Sequence, residues 1–153
     1  MRAVFDGFWS GYVQPLLQRP VRVQMAALCY RTMDAKKQIL LITSRDTGRW
    51  IIPKGWPISG KTSCETALQE AWEEAGVKSG SSETEAIGSY TYEKRFDNGL
   101  SATVETTVYP VAVETLSDSF PEADERNRKW VSPKEAANLV AEPELKKLLE
   151  DFD

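Results

Sequence analysis

Apolar residues recur along this chain with two different periods, and the switches between them divide it into elements. Near the N-terminus Phe5, Phe8, Trp9 and Tyr12 fall at i, i+3, i+4 and i+7, the stripe of a short helix. Such a face is expected to pack on the domain or on a second subunit. Val21 to Thr32 is rich in Val, Ala, Leu and Tyr and reads as a strand. Gln38 to Ser44 (QILLITS) is a continuous apolar run of strand length, so this second strand is expected to be largely buried. The polar Asp34-Ala35-Lys36-Lys37 between the two predicts a hairpin turn. Asp46-Thr47-Gly48 turns the chain again before Trp50-Ile51-Ile52, and the Pro and Gly residues from Pro53 to Gly60 predict a loop.

Helical spacing returns at Thr62 to Ala75. Thr62 and Glu65 form a capping box, in which hydroxyl and carboxylate satisfy opposite orphan N–H groups. Gly76 is suited to end the helix because it takes φ > 0 freely. A Gly/Ser-rich connection follows, then Ala86 to Phe96 and Ala102 to Val113 read as strands joined at Asp97-Asn98-Gly99. Ser132-Pro133-Lys134-Glu135 is a second capping box with Pro at the first helical position; it opens a helix toward Val140, and Pro143 starts another. Strands and helices are mixed and at least two hairpins are present, which argues against an all-parallel doubly wound sheet.

A chain of 153 residues suits one domain. The expected organisation is an N-terminal segment over 1–20 and a single domain over 21–153. Composition changes the picture at one point above all, because the chain contains no histidine. A Ser-His-Asp or Cys-His nucleophile, His-ligated zinc and an imidazole proton shuttle are excluded, and any acid/base or metal chemistry must use carboxylates, Lys, Tyr or Cys. Cys29 and Cys64 make no CxxC pair and read as buried reduced thiols. A net charge of −4 gives no overall attraction to duplex nucleic acid or an anionic membrane, though it leaves room for a basic pocket. No run is long and apolar enough to span a bilayer, and Asp6 and Pro15 interrupt any signal-like core, so a cytoplasmic protein is expected.

The chemistry is concentrated on the capped helix. Cys64, Ala67, Leu68, Ala71 and Ala75 take one side, and Glu70, Glu73 and Glu74 cluster on another. Carboxylates at these spacings repel, and they lie toward the helix C-terminus, where the macrodipole disfavours anions. Such a cluster either is a solvated acidic face or holds a hard cation; Mg²⁺ binds through a few carboxylates together with waters and substrate phosphates.

Gly55 to Val77 reads GWPISGKTSCETALQEAWEEAGV. It resembles the Nudix box, Gly-x5-Glu-x7-Arg-Glu-aliphatic-x-Glu-Glu-x-Gly-aliphatic, with Gly55, Glu70, Ala71, Glu73, Glu74, Gly76 and Val77 in register. Lys61 stands where the family has Glu, and Gln69 where it has Arg. ALCYR (27–31), ILLITSRDTGRWIIPKG (39–55) and RNRKWVSPKEAANLV (126–140) look like the diphosphoinositol polyphosphate and diadenosine polyphosphate hydrolase branch. The resemblance implies an α+β fold, an α/β/α sandwich around a mixed sheet. It implies Mg²⁺-dependent hydrolysis (Mn²⁺ being an alternative ion) of a phosphoanhydride in a dinucleoside polyphosphate or diphosphoinositol polyphosphate. Glu70 and Glu74, helped by the Gly55 carbonyl, would hold the metal, and Glu73 would be ligand or general base; Glu93, Glu122 and Glu125 are possible suppliers from outside the box, though each reads first as surface. Two alternatives stand beside this: a Nudix pyrophosphatase acting on other nucleoside diphosphate or 5′-triphosphate RNA substrates, and an impaired domain that only binds polyphosphate, which Lys61 and Gln69 would favour.

A polyphosphate also needs cations. Arg45 and Arg49 flank a turn and Lys54 begins the box loop, so all three are expected to face one cleft. Arg126 and Arg128 match phosphate-binding positions of the inositol branch, and their i, i+2 spacing would put them on one side of an extended segment. The guanidinium fork suits phosphate oxygens. Tyr90, Tyr92, Trp50 and Trp56 are the aromatic residues that could stack on a base. The expected partner is a small polyphosphate, with no membrane or duplex nucleic acid, on a monomer or homodimer.

Overall fold

A computed structural model describes residues 22–152; the N-terminal Phe5–Tyr12 stripe lies outside the described residues. The strands are β1 (Arg22–Met33), β2 (Lys36–Thr43), β3 (Trp50–Ile51), β4 (Lys54–Gly55), β5 (Val77–Ser82), β6 (Gly88–Arg95), β7 (Ser101–Leu116) and β8 (Arg128–Val131). The helices are α1 (Ser63–Ala75), α2 (Pro133–Leu139) and α3 (Pro143–Asp151). One mixed sheet runs β3-β2-β1-β7-β5, with β4 on β1, β6 on β7 and β8 on β2. The β1–β7 pair is parallel, and the other pairs are antiparallel.

Both faces of this sheet are covered, which is why its central strands are apolar on successive residues. Along β1, Ala26 and Leu28 enter the cluster that packs on α2 and α3, while Ala27 and Cys29 enter the one that packs on α1. Ile39 and Leu41 of β2 belong to the first cluster, Leu40 and Ile42 to the second. A two-sided strand shows no polar alternation, because the period of 2 divides one core from the other instead of core from water. The result is an α+β fold with an α/β/α sandwich.

Local signals set most of the boundaries. Thr62 accepts the Glu65 N–H and Glu65 returns a bond to Thr62 N–H, so the capping box of α1 is complete. Gly76 ends that helix at φ 75°. An ideal Cβ there would lie 2.6 Å from Phe120 Cδ1 and from the Ser117 carbonyl, so glycine is required by space as well as by dihedral. Ser132 Oγ accepts from Glu135 N–H at the start of α2, but among the described residues the Glu135 carboxylate returns no bond to the Ser132 N–H, so the second box is only half formed.

Three segments differ from the sequence expectation. The Pro53–Gly60 loop contains β4, whose Lys54 and Gly55 pair with Ala26 and Met25. The Gly/Ser-rich connection is the edge strand β5, held on β7 through register shifts that low β-propensity does not announce. The hairpin after β1 is tighter than DAKK suggests: Asp34 and Ala35 both take positive φ, 53° and 65°, and β2 resumes at Lys36. Among the described residues, no helix is long and apolar enough to cross a membrane.

Candidate active site

The C-terminal half of α1 and the short β4 face each other across one end of the sheet. Glu70 lies against Gly55, so closely that an ideal Cβ at residue 55 would sit 2.2 Å from the Glu70 Cδ and 2.5 Å from both carboxylate oxygens. Glu74, 8% exposed, accepts the Lys54 backbone N–H at 3.2 Å. Pairing of β4 with β1 therefore presents a backbone donor to one carboxylate and a bare Cα to the other. Among the described residues Cys29 and Cys64 are free, but only Cys29 is buried as expected and Cys64 is half-buried; burial pushes the Cys29 thiol up to about 12, so it stays a neutral thiol.

The two carboxylates disturb each other. Burial, then the charge of Glu74 and of Glu73, pushes Glu70 up to about 8. Glu74 is raised as well; burial outweighs the opposing pull of Arg126, Lys54 and the Lys54 N–H. Opposed carboxylates of raised proton affinity are the donor set that a hard cation satisfies, since it supplies the charge they lack. Among the described residues, no group of three or more acidic or sulfur side chains is gathered tightly enough to hold a metal ion unaided. The pair fits Mg²⁺, which retains waters and shares its shell with substrate oxygens.

The cleft around the pair is about 440 Å³, and its walls include Arg45, Lys54, Tyr92, Lys94, Glu122 and Arg126. Arg126, with a side chain 5% exposed, is the electrostatic tie of this wall: it lies 2.9 Å from Glu122 and 3.5 Å from Glu74, and donates to the Thr43 carbonyl at 2.9 Å. Arg45 reaches Glu125 at 3.2 Å and Glu122 at 3.7 Å from a half-exposed position. Lys54 Nζ is 5.0 Å from the centre of the Tyr92 ring, and burial lowers its pKa to about 8. Tyr92 Oη in turn donates to Gln24 Oε1 at 2.5 Å.

Several expected residues stand elsewhere. Arg128 does not line the cleft. It donates to the carbonyls of Ala75 and Ser117 at 3.0 Å and pairs with Asp118 at 2.9 Å, because the last turn of α1 leaves carbonyls that need a donor. Glu73 is not on the cleft wall either: its carboxylate accepts from Gln69 Nε2 at 2.6 Å. Gln69 thus makes a neutral i,i+4 bond to Glu73. Arg49 pairs with Glu142 at 3.4 Å in an adjoining cavity. Tyr90 is buried in the core and Trp50 lies under Lys129, whereas Trp56 and Tyr92 reach the cleft. Glu122 and Lys94 also reach it; sequence alone makes Glu122 look like one more surface acid, since the chain returns it to α1 from far along through a Glu122 N–H bond to the Glu73 carbonyl.

Comparison with known proteins shows the family and the fold. The family profile described as NUDIX domain matches residues 22–152, and the chain belongs to that family. Nudix hydrolase 13, mitochondrial, of Arabidopsis thaliana is 30% identical over 124 residues, which cover 78% of this chain and 61% of the relative. Nudix hydrolase 21, chloroplastic, of the same plant is 33% identical over 117 residues, covering 75% and 56%. The chain thus spans little more than half the length of these relatives. Among solved structures, the fold is similar to a C. elegans Ap4A hydrolase at 22% identity and TM-score 0.61, covering 87% of this chain and 96% of that one. It is also similar to the NUDIX domain of Shewanella oneidensis NrtR complexed with ADP ribose, at 15% identity and TM-score 0.64, covering 95% and 94%.

Proposed function

We propose that this domain is a Mg²⁺-dependent phosphoanhydride hydrolase acting on a dinucleoside polyphosphate or diphosphoinositol polyphosphate. The observation that carries the reading is the Glu70–Glu74 pair set against Gly55 and the Lys54 N–H, in a cleft that also presents Lys54, Lys94, Arg45 and Arg126. The relatives named Nudix hydrolases and the fold shared with an Ap4A hydrolase support it.

Glu70, Glu74 and the Gly55 carbonyl would hold the ion, which when present supplies Lewis acidity toward phosphate oxygens and water. The chain's own groups do the rest. Lys54 and Lys94 attract the phosphate chain, and Arg45 is exposed enough to turn from Glu125 toward it. Arg126 is committed to Glu122 and Glu74, so it holds the carboxylates in place and adds positive potential more than it offers a free fork. Glu122 and Asp46 are the carboxylates on the cleft wall outside α1, and Glu122 is the one tied to the metal pair through Arg126; Arg45 and Arg126 both use its Oε1, and among the described residues no bond uses Oε2. It replaces Glu73 as the group placed to accept a proton from an attacking water.

The test is phosphate or nucleotide release from a panel of dinucleoside polyphosphates, diphosphoinositol polyphosphates, nucleoside diphosphate derivatives and 5′-triphosphate RNA, with and without Mg²⁺. Metal-dependent turnover of one of the first two classes supports the reading. Binding without turnover would favour an impaired domain instead.

A further inference from the structure

Beside the carboxylate cleft, and sharing Lys54, Tyr92 and Lys94 with it, lies a second cavity of about 450 Å³. Its walls carry as many acidic as basic side chains, and Tyr92 and Phe96 add aromatic faces. One of the acids is in an unusual state. Glu142 occupies the N-cap position of α3 yet makes no side-chain capping bond, and it is only 8% exposed. Its Oε2 meets Arg49 at 3.4 Å, while its Oε1 is buried with no hydrogen-bond partner among the described residues. Buried carboxylate oxygens are almost always satisfied, and leaving one without a donor is costly. As a cap it is poorly chosen, since an N-cap Ser or Asp would serve α3 better, and the cations its charge faces, Arg49 and Lys54, lie on the cavity side. Next to it, Lys54 Nζ has no carboxylate within 4.0 Å among the described residues and rests on the Tyr92 ring.

We infer that Glu142 is a specificity-determining residue, whose free oxygen accepts a hydrogen bond from an N–H or O–H donor on the non-phosphate end of the substrate and repels an anion there. This rests on the phosphoanhydride reading and narrows it. A substrate anchored by phosphates at Glu70, Glu74 and Lys54 extends its other end into the second cavity. An aromatic group bearing an amine or hydroxyls, as in a nucleoside, finds the Glu142 acceptor beside the Tyr92 and Phe96 rings, whose faces it shares with Lys54, Arg22 and Lys94. An all-phosphate ring would bring anionic oxygens against that carboxylate. The cavity therefore selects the dinucleoside class over the inositol class.

Binding separates this inference from catalysis. The ligands are ADP, inosine diphosphate (no exocyclic amine), 2′-deoxyADP, pyrophosphate and inositol hexakisphosphate, titrated calorimetrically with Mg²⁺ against the full chain and its Glu142→Leu variant. Wild type should bind ADP at least about tenfold more tightly than pyrophosphate. Loss of that advantage with inosine diphosphate places the donor on the base, and loss with 2′-deoxyADP places it on the ribose. Glu142→Leu should weaken ADP about tenfold, leave pyrophosphate unchanged and tighten inositol hexakisphosphate, a pattern that general structural damage would not produce. Equal affinity of wild type for ADP and pyrophosphate overturns the inference, as does ADP binding indifferent to both the amine and the 2′-hydroxyl. If the variant does not fold, the wild-type ligand series decides alone. Selective ADP binding without turnover of any substrate would refute the hydrolase reading and leave the Glu142 assignment standing.

Discussion

Replacing Gly55 with alanine tests whether a single missing Cβ shapes the Glu70–Glu74 pair proposed to hold the metal. The added carbon would start 2.2 Å from Glu70 Cδ and 2.5 Å from both oxygens. Ordinary carbon contacts begin at about 3.5 Å, so the carboxylate must retreat by on the order of 1 Å. The backbone does not resist, because Gly55 is not among the positive-φ residues, and the Glu70 side chain is not fully enclosed. The fold should therefore survive with a small loss of Tm, while a displacement of ~1 Å at a reacting centre costs ~10²-fold in rate. The assay is kcat at saturating Mg²⁺ on the best substrate of the panel, with Mn²⁺ affinity as a readout independent of turnover. Specificity of the effect comes from a double mutant. Glu70→Ala removes the atoms that the new methyl would meet, so adding Gly55→Ala to it should change either readout by less than about twofold. A Gly55→Ala protein with wild-type kcat and Mn²⁺ affinity would refute the packing argument, and additive losses in the double mutant would show that Gly55 acts on something other than Glu70.

Gly76→Ala imposes a β-carbon on a left-handed residue and drives it into Phe120 and the Ser117 carbonyl; denaturant unfolding should show a loss above ~1 kcal/mol, and an unchanged midpoint would contradict the close approach. Glu122→Gln should lower kcat far more than Glu73→Gln, since only the first lines the cleft; the reverse order would return the proton-accepting role to Glu73. Glu70 binds a proton in the folded state up to about 8 but from 4.5 in the unfolded chain, so its contribution to stability is full below 4.5 and is lost as pH rises through about 8. Metal-free Tm should accordingly fall over that interval, less so in Glu70→Gln, and added Mg²⁺ should restore more at the alkaline end; pH profiles that are identical in both proteins would show that Glu70 is not the group responsible.

The parts of this fold that were legible in the sequence are those that local physics decides. Thr62, Glu65 and Gly76 bound α1 through bonds they make within a few residues, and Asn98-Gly99 turns β6 into β7 with Gly99 at φ 84°. The strand VKSGSS was hidden because its pairing with β7, not its own composition, holds it extended. The same division runs through the site. Glu70 and Glu74 are marked by spacing on one helix, whereas Glu122, Lys94 and Glu142 reach the cleft region only through the tertiary path of the chain. Arg126 and Arg128 show how far spacing can mislead: two residues apart, one ties Glu122 to Glu74 and the other closes the last turn of α1.

Hydrolysis of a dinucleoside polyphosphate by wild type and by Glu74→Gln, each with Mg²⁺ and with the ion chelated, is the most direct single measurement. Glutamine preserves the shape and the acceptor for the Lys54 N–H but removes the charge that opposes a cation. The expected result is turnover by wild type only with Mg²⁺, and a kcat lowered by at least ~10²-fold in the variant. Turnover that persists without metal, or a Glu74→Gln protein as fast as wild type at saturating Mg²⁺, would contradict a metal-dependent hydrolase built on the Glu70–Glu74 pair.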